Sequence, residues 1–137
     1  MKRLAAKRLA AILSAGFFTC LPATAAWAGA REAFLAHLQQ AVRQNDLAWL
    51  GAHLDYPVTI RGKHRIVLKN RDAFAKLDPA LIGPRLRADI LAQRPEDLSS
   101  NWQGMMIGSG QHNIWVRDAS PDPSRPDYRV FVMIGAN

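Results

Sequence analysis

NWQGMMIGSGQHNIWV, Asn101 to Val116, has the alternation of two β-strands joined by a turn, yet it holds three glycines and two tryptophans. Glycine gives a strand no side chain to pack and weakens it, so its repeated use here asks for a reason. A phosphate-cradling loop is a poor one. The run GMMIGSGQ lacks the Lys-Ser/Thr pair of a nucleotide loop and leads into a strand instead of a helix N-terminus. A sheet that bends accounts for the pattern better. Strands are expected at Trp102 to Ile107, Asn113 to Arg117 and Tyr128 to Ile134. In the first, Trp102, Gly104, Met106 and Gly108 share one face, and Gln103, Met105 and Ile107 share the other. In the last, Tyr128, Val130, Val132 and Ile134 oppose Phe131 and Met133. Both faces are thus partly apolar, whereas a sheet with one wet face alternates apolar with polar. Helices are expected over one face, and a partner subunit or a loop over part of the other. Gly104 and Gly108 are then expected on the concave side beneath a helix, where their small size lets the strand coil and the helix approach.

Upstream of this stretch the period is helical. Between Arg31 and Asn45, residues Phe34, Leu35, Leu38, Ala41 and Val42 fall on one face, the mark of an amphipathic helix. Asp46 can cap a second helix, Leu47 to Leu54, with Trp49 beside its apolar side. Tyr56-Pro57 ends helical geometry, because the residue before a proline is pushed towards extended conformations. VTIRGKHRIVL reads as a β-hairpin turning at Gly62. Asn70 can cap a helical turn through Phe74 and Leu77. Asp78-Pro79 has the form of a cap followed by proline, and Leu86, Ile90 and Leu91 continue as a helix to Arg94. Asp118 to Asp127, with three prolines, is the one long loop. Helices, hairpin, helices and a three-stranded meander make an α+β fold with a mostly antiparallel sheet. Its expected core is Phe34, Leu38, Val42, Val58, Ile60, Ile90, Ile107, Ile114, Val130 and Val132.

At the N-terminus, MKRLAAKR is basic, LAAILSAGFFTCL is apolar, and Pro22 is followed by the small residues of ATAAWA. That layout predicts a secretory signal peptide over residues 1–28, cut between Ala28 and Gly29, with a cut after Ala25 as the competing choice. The apolar run is shorter than the roughly 20 residues that cross a bilayer, so no membrane anchor is expected after processing. Bulky Phe17 and Phe18 before Cys20 argue against lipidation. The chain carries 18 Lys+Arg against 11 Asp+Glu, net +7, and four of the cations (Lys2, Arg3, Lys7, Arg8) belong to the leader, which leaves net +3. The basic character is mostly a targeting signal, and no nucleic-acid partner is expected. The single cysteine also leaves, so residues 29–137 form one domain with neither disulfide nor thiol chemistry. A periplasmic or secreted bacterial protein is the expectation.

N-terminal helices that close the mouth of a strongly bent antiparallel sheet, with a hairpin between helices, resemble the nuclear-transport-factor-2-like superfamily. This is also called the SnoaL-like or ketosteroid-isomerase-like cone, and the likeness covers most of Ala30 to Ala136. The pieces LDYPVTI, NWQGMMIGSGQHNIWV and VFVMIGAN also resemble a group of small exported bacterial proteins without an assigned activity. The resemblance implies a cone-shaped domain. It implies no single function, because that scaffold hosts isomerases, dehydratases and many non-catalytic binders.

No motif matches those enzymes residue by residue. A pocket acid with a tyrosine donor is their chemistry, and this chain offers Tyr56 and Asp89, with Asp55 expected to point away. The plainer readings are that Tyr56 packs helix against strand and that Asp89 pairs with Arg85 at helical spacing. His37, His53, His64 and His112 lack ligand spacing, so no metal and no cofactor is expected. Trp49, Trp102 and Trp115, with Tyr56, are the candidate ligand-binding residues, able to line a pocket for a flat or glycan-like ligand, with Trp102 at its mouth; filling the core is the alternative. The hairpin cluster Arg61, Lys63, His64, Arg65, Lys69 and Arg71 could meet an anionic envelope polymer or acidic partner, or simply discourage edge pairing. Three functions stay open. The first is a non-catalytic binder of a small ligand or envelope protein, through the cone mouth or sheet face, with a homodimer through that face possible. The second is a small lyase or isomerase using Tyr56 and a carboxylate. The third is an exported immunity or inhibitor protein acting through the Asp118 to Asp127 loop.

Overall fold

The computed structural model describes residues 29–78, 80 and 82–136. The expected leader, with Cys20 and the Ala28 side of the cleavage site, therefore lies outside the described residues, as does Pro79. Helix α1 spans Ala30–Gln44 and buries Phe34, Leu35, Leu38, Ala41 and Val42, the stripe that its 3.6-residue period predicts. It stops at Asn45, whose left-handed backbone closes the last turn. Asp46 accepts a hydrogen bond from the Trp49 amide at 3.0 Å and so caps α2, Leu47–Ala52. Strand β1, Leu54–Arg61, turns through Gly62 to His64 into β2, Arg65–Leu68. Asn70 caps α3, Arg71–Ala75, in the same manner as Asp46 caps α2. Helix α4, Pro84–Ala92, opens on a proline whose missing amide is harmless there. A single turn of 3-10 helix, Pro95–Asp97, leads to β3 (Ser99–Asn101), β4 (Gly104–Ser109), β5 (His112–Asp118) and β6 (Tyr128–Ile134).

The six strands form one open sheet in the order β2-β1-β6-β5-β4-β3. The β1–β6 pair is parallel and the other four are antiparallel, so the fold is α+β with a mixed, mostly antiparallel sheet. The C-terminal meander has four strands where three were expected. The additional one, β3, is short, polar and exposed, so no apolar alternation marks it. It displaces the start of the next strand: Trp102 and Gln103 form the β3–β4 turn, held by the Asn101 side chain accepting from the Gln103 amide at 2.8 Å.

The helices cover one face of the sheet. Between them lie all the expected core residues except Val132. Its displacement has a local cause. Trp115 faces Val132 and Val116 faces Val130, so β6 carries one extra residue, Phe131, against β5. This bulge breaks the alternation. Met133 takes the inner position opposite Ile114, and Val132 is carried to the outer face beside Trp115. The space left among Leu38, Val42, Leu86, Ile90, Ile114 and Met133 is about 10 Å³, no more than one water needs.

Gly104 and Gly108 have φ of +145° and +108°, which L side chains rarely adopt. There is no room for a side chain at either, but the neighbour is a strand and not the expected helix. A Cβ on Gly104 would collide with the Val116 carbonyl oxygen of β5. One on Gly108 would collide with the His112 carbonyl oxygen and lie 2.9 Å from the Asn113 Cα. Both glycines therefore let β4 and β5 close on each other. No helix among the described residues is long and apolar enough to cross a membrane.

Candidate functional site

Because residues paired across strands share a face, the register defines the outer side of the sheet. Met106, Trp115 and Val132 form one row there, and Arg61 pairs with Ile134 in the next. Phe131 lies beside them. Trp102 stands over these residues from the β3–β4 turn, 92 % exposed. Together Arg61, Trp102, Gln103, Trp115, Arg117, Phe131, Val132 and Ile134 line an open groove of about 670 Å³. Fully exposed tryptophan is costly to leave in water, since a ring of this size contributes most when covered. Arg117 lies with its guanidinium carbon 5.0 Å from the Phe131 ring centroid, a cation–π contact, and its Nε donates to Asp55. Asp55 thus neutralises Arg117, whereas Arg61 is in no ion pair among the described residues.

A second groove, of about 510 Å³, adjoins the first and shares Arg61 and Ile134 with it. Gly62 of the hairpin turn, Gly83, Pro84 and Arg85 at the start of α4, Gln111 and His112 at the β4–β5 turn, and Gly135 complete it. His112 Nδ1 is 3.5 Å from an Asp89 carboxylate oxygen. The expected Asp89–Arg85 pair is therefore replaced by one between α4 and β5, because the sheet brings His112 to the helix face that Asp89 occupies.

The four candidate aromatic residues do not form one site. Trp102 and Trp115 share the outer groove. Trp49 lies elsewhere, stacked on His53 with ring centroids 3.9 Å apart, and His53 Nδ1 meets the Trp49 carbonyl at 2.8 Å. Phe34 packs 5.9 Å from Trp49 and 5.7 Å from Tyr128, so this cluster seals α1 against α2 and β6. Tyr56 donates its hydroxyl to the Gly51 carbonyl at 2.8 Å, tying β1 to α2. Burial holds its pKa above the ordinary phenol value, and nearby Arg71 partly offsets this. Tyr56 and Asp89 line neither groove and do not converge on an enclosed cavity. Among the described residues no three His, Cys, Asp or Glu side chains come together. In the Asp118 to Asp127 loop, Asp118 accepts from the Ser120 and Asp127 amides, which draws the two ends of the loop together.

Arg117 and Phe131 of the groove were not named as site residues from the sequence, and Arg85 was read only as the partner of Asp89. Arg117 was within reach, being two residues from Trp115 and hence on its face of the strand. Phe131 was within reach as well, since alternation with the buried Val130 turns it outward; what the bulge adds to this face is Val132.

Comparison of the chain with protein-family models, with curated proteins and with solved structures finds no significant match in any of the three.

Proposed function

We propose that this is an exported, non-catalytic bacterial envelope protein that binds a small ligand on the outer face of its sheet. The observation that carries the reading is the groove of Trp102, Trp115, Phe131, Arg61 and Arg117 on a face that none of the described helices covers. The interior, by contrast, is filled, which favours the sheet face over the cone mouth as the binding surface. Export rests on the three-part leader of residues 1–28. We read the architecture as a cone-shaped, nuclear-transport-factor-2-like domain. The helices on either side of the β1–β2 hairpin and the closely apposed, glycine-bearing β4 support that reading.

Aromatic faces beside guanidinium groups suit a flat anion, so anilinonaphthalene sulfonate is the first probe. Saturable binding is expected, weakened at least tenfold in Trp102→Ala, a hot-spot-sized loss for an exposed ring that folding does not need. Equal binding by Trp102→Ala would remove the outer groove from the reading. A second copy of the chain is the competing occupant of this face. Sedimentation at rising concentration distinguishes it, since a dimer through the sheet would exclude the probe as it forms.

A further inference from the structure

We infer that the two grooves are one track for an acidic glycan, with sugar rings lying on Trp102 and Trp115 and carboxylates met by Arg61 and Arg85. The inference rests on the binding reading above and names the class of ligand. Continuity comes first: Arg61 and Ile134 line both grooves, so a ligand leaving the tryptophans along β6 runs directly into the space before α4. Charge comes second. Among the described residues the lining holds three arginines, Arg61, Arg85 and Arg117, together with His112, and no carboxylate side chain. Two of these are already answered, Arg117 by Asp55 and His112 by Asp89. Arg61 and Arg85 are in no ion pair among the described residues, and the turn beyond Arg61 continues with exposed Lys63, His64 and Arg65. A planar guanidinium donates two parallel hydrogen bonds to a carboxylate, which makes an unpaired one a selective partner for that group.

The shape of the track decides between anions. Both grooves are open to solvent and adjoin at Arg61 and Ile134, which suits a chain of repeating rings better than one compact molecule. The C–H face of a pyranose ring covers an indole as well as an aromatic ring does. An acidic peptide would be expected to add to a sheet edge, but neither edge strand, β2 or β3, contributes to the lining. Single-stranded nucleic acid uses the same combination of stacking and positive charge, and the net +3 left after removal of the leader gives it little long-range attraction.

The test uses the protein as its producing cell processes it, with calorimetric titration of hexagalacturonate, its fully methyl-esterified form, galacturonic acid, an oligodeoxythymidylate and oligoglutamate. Hexagalacturonate is expected to bind tightest, with the ester and the monomer at least roughly tenfold weaker. Trp102→Ala and Arg85→Ala should each weaken it roughly tenfold, and together by the product of the two, since the sites lie in different grooves. Both side chains are exposed, and unchanged melting of each variant verifies that the fold is intact. Equal binding of monomer or ester, indifference to either substitution, or tighter binding of oligodeoxythymidylate or oligoglutamate would overturn the inference. If the naphthalene probe binds and hexagalacturonate does not, the glycan class fails and the binding reading stands. If neither binds, both fail.

Discussion

Along β5, Ile114 and Val116 turn towards the helices and are closed off from water, while Trp115 and Arg117 look out into an open groove. The two sets share one strand and one ladder of backbone hydrogen bonds, and differ only in what covers them. On the inner side, α1 and α4 complete a filled core. On the outer side, apolar rings are left beside cations. Stability is thus concentrated in the inner face while the proposed recognition lies on the outer one, and substitutions one residue apart should separate the two.

The largest contrast is expected from truncating one residue on each face. Ile114→Ala leaves a cavity among fully packed neighbours and should cost about 2–5 kcal/mol in urea unfolding. Val132→Ala, across the strand from Trp115, should cost less than about 1.5 kcal/mol, because part of that side chain is already in water. Equal losses would mean that the outer face is covered in solution. Next comes the close approach of β4 to β5. Gly104→Val should destabilise by roughly 1–3 kcal/mol, because the added side chain meets the β5 backbone and φ is positive. A melt matching the parent protein would end the view that Gly104 serves strand closure.

A third measurement sharpens the comparison from the inner margin. The two tyrosines of the chain, Tyr56 and Tyr128, have pKa values raised above 10.0, in both cases chiefly by burial. Asp118 and Glu32 raise Tyr128 further while Arg31 lowers it. The folded state therefore favours the neutral phenols. Their contribution to stability is fully present below the unfolded value and is lost as pH rises through the folded pKa. Ultraviolet titration of tyrosinate should give a midpoint above 10.0 in buffer, falling in concentrated urea; coincident curves would contradict the burial. The smallest effect is expected at Trp102. Trp102→Ala should change stability by no more than about 0.5 kcal/mol, since its ring is almost wholly in solvent. A larger loss would assign Trp102 to folding instead of binding.

Much of the fold was legible because its signals are short-ranged. Asp46 and Asn70 cap as read, since a cap needs only a side-chain oxygen and an amide three residues on. The α1 stripe follows from its period alone. Strand β3 escaped because Ser99, Ser100 and Asn101 have no apolar partner face to advertise. The bulge escaped because YRVFVMI is almost continuously apolar, and a doubled residue in such a run leaves no break in pattern. The site suffered for the same reason. Trp102 and Trp115 were both named as ligand residues, but nothing local separated them from Trp49 and Tyr56, which the fold assigns to helix packing.

By itself, then, the sequence determined the α1 stripe, the Asp46 and Asn70 caps and most of the order of elements, matters between residues a few places apart. The tertiary structure alone decided which apolar side chains look outward, that Asp89 meets His112 instead of Arg85, and that Arg61 joins two grooves. Those outcomes depend on register between strands far apart in the chain. There a single extra residue, Phe131, moves Val132 from one face of the sheet to the other.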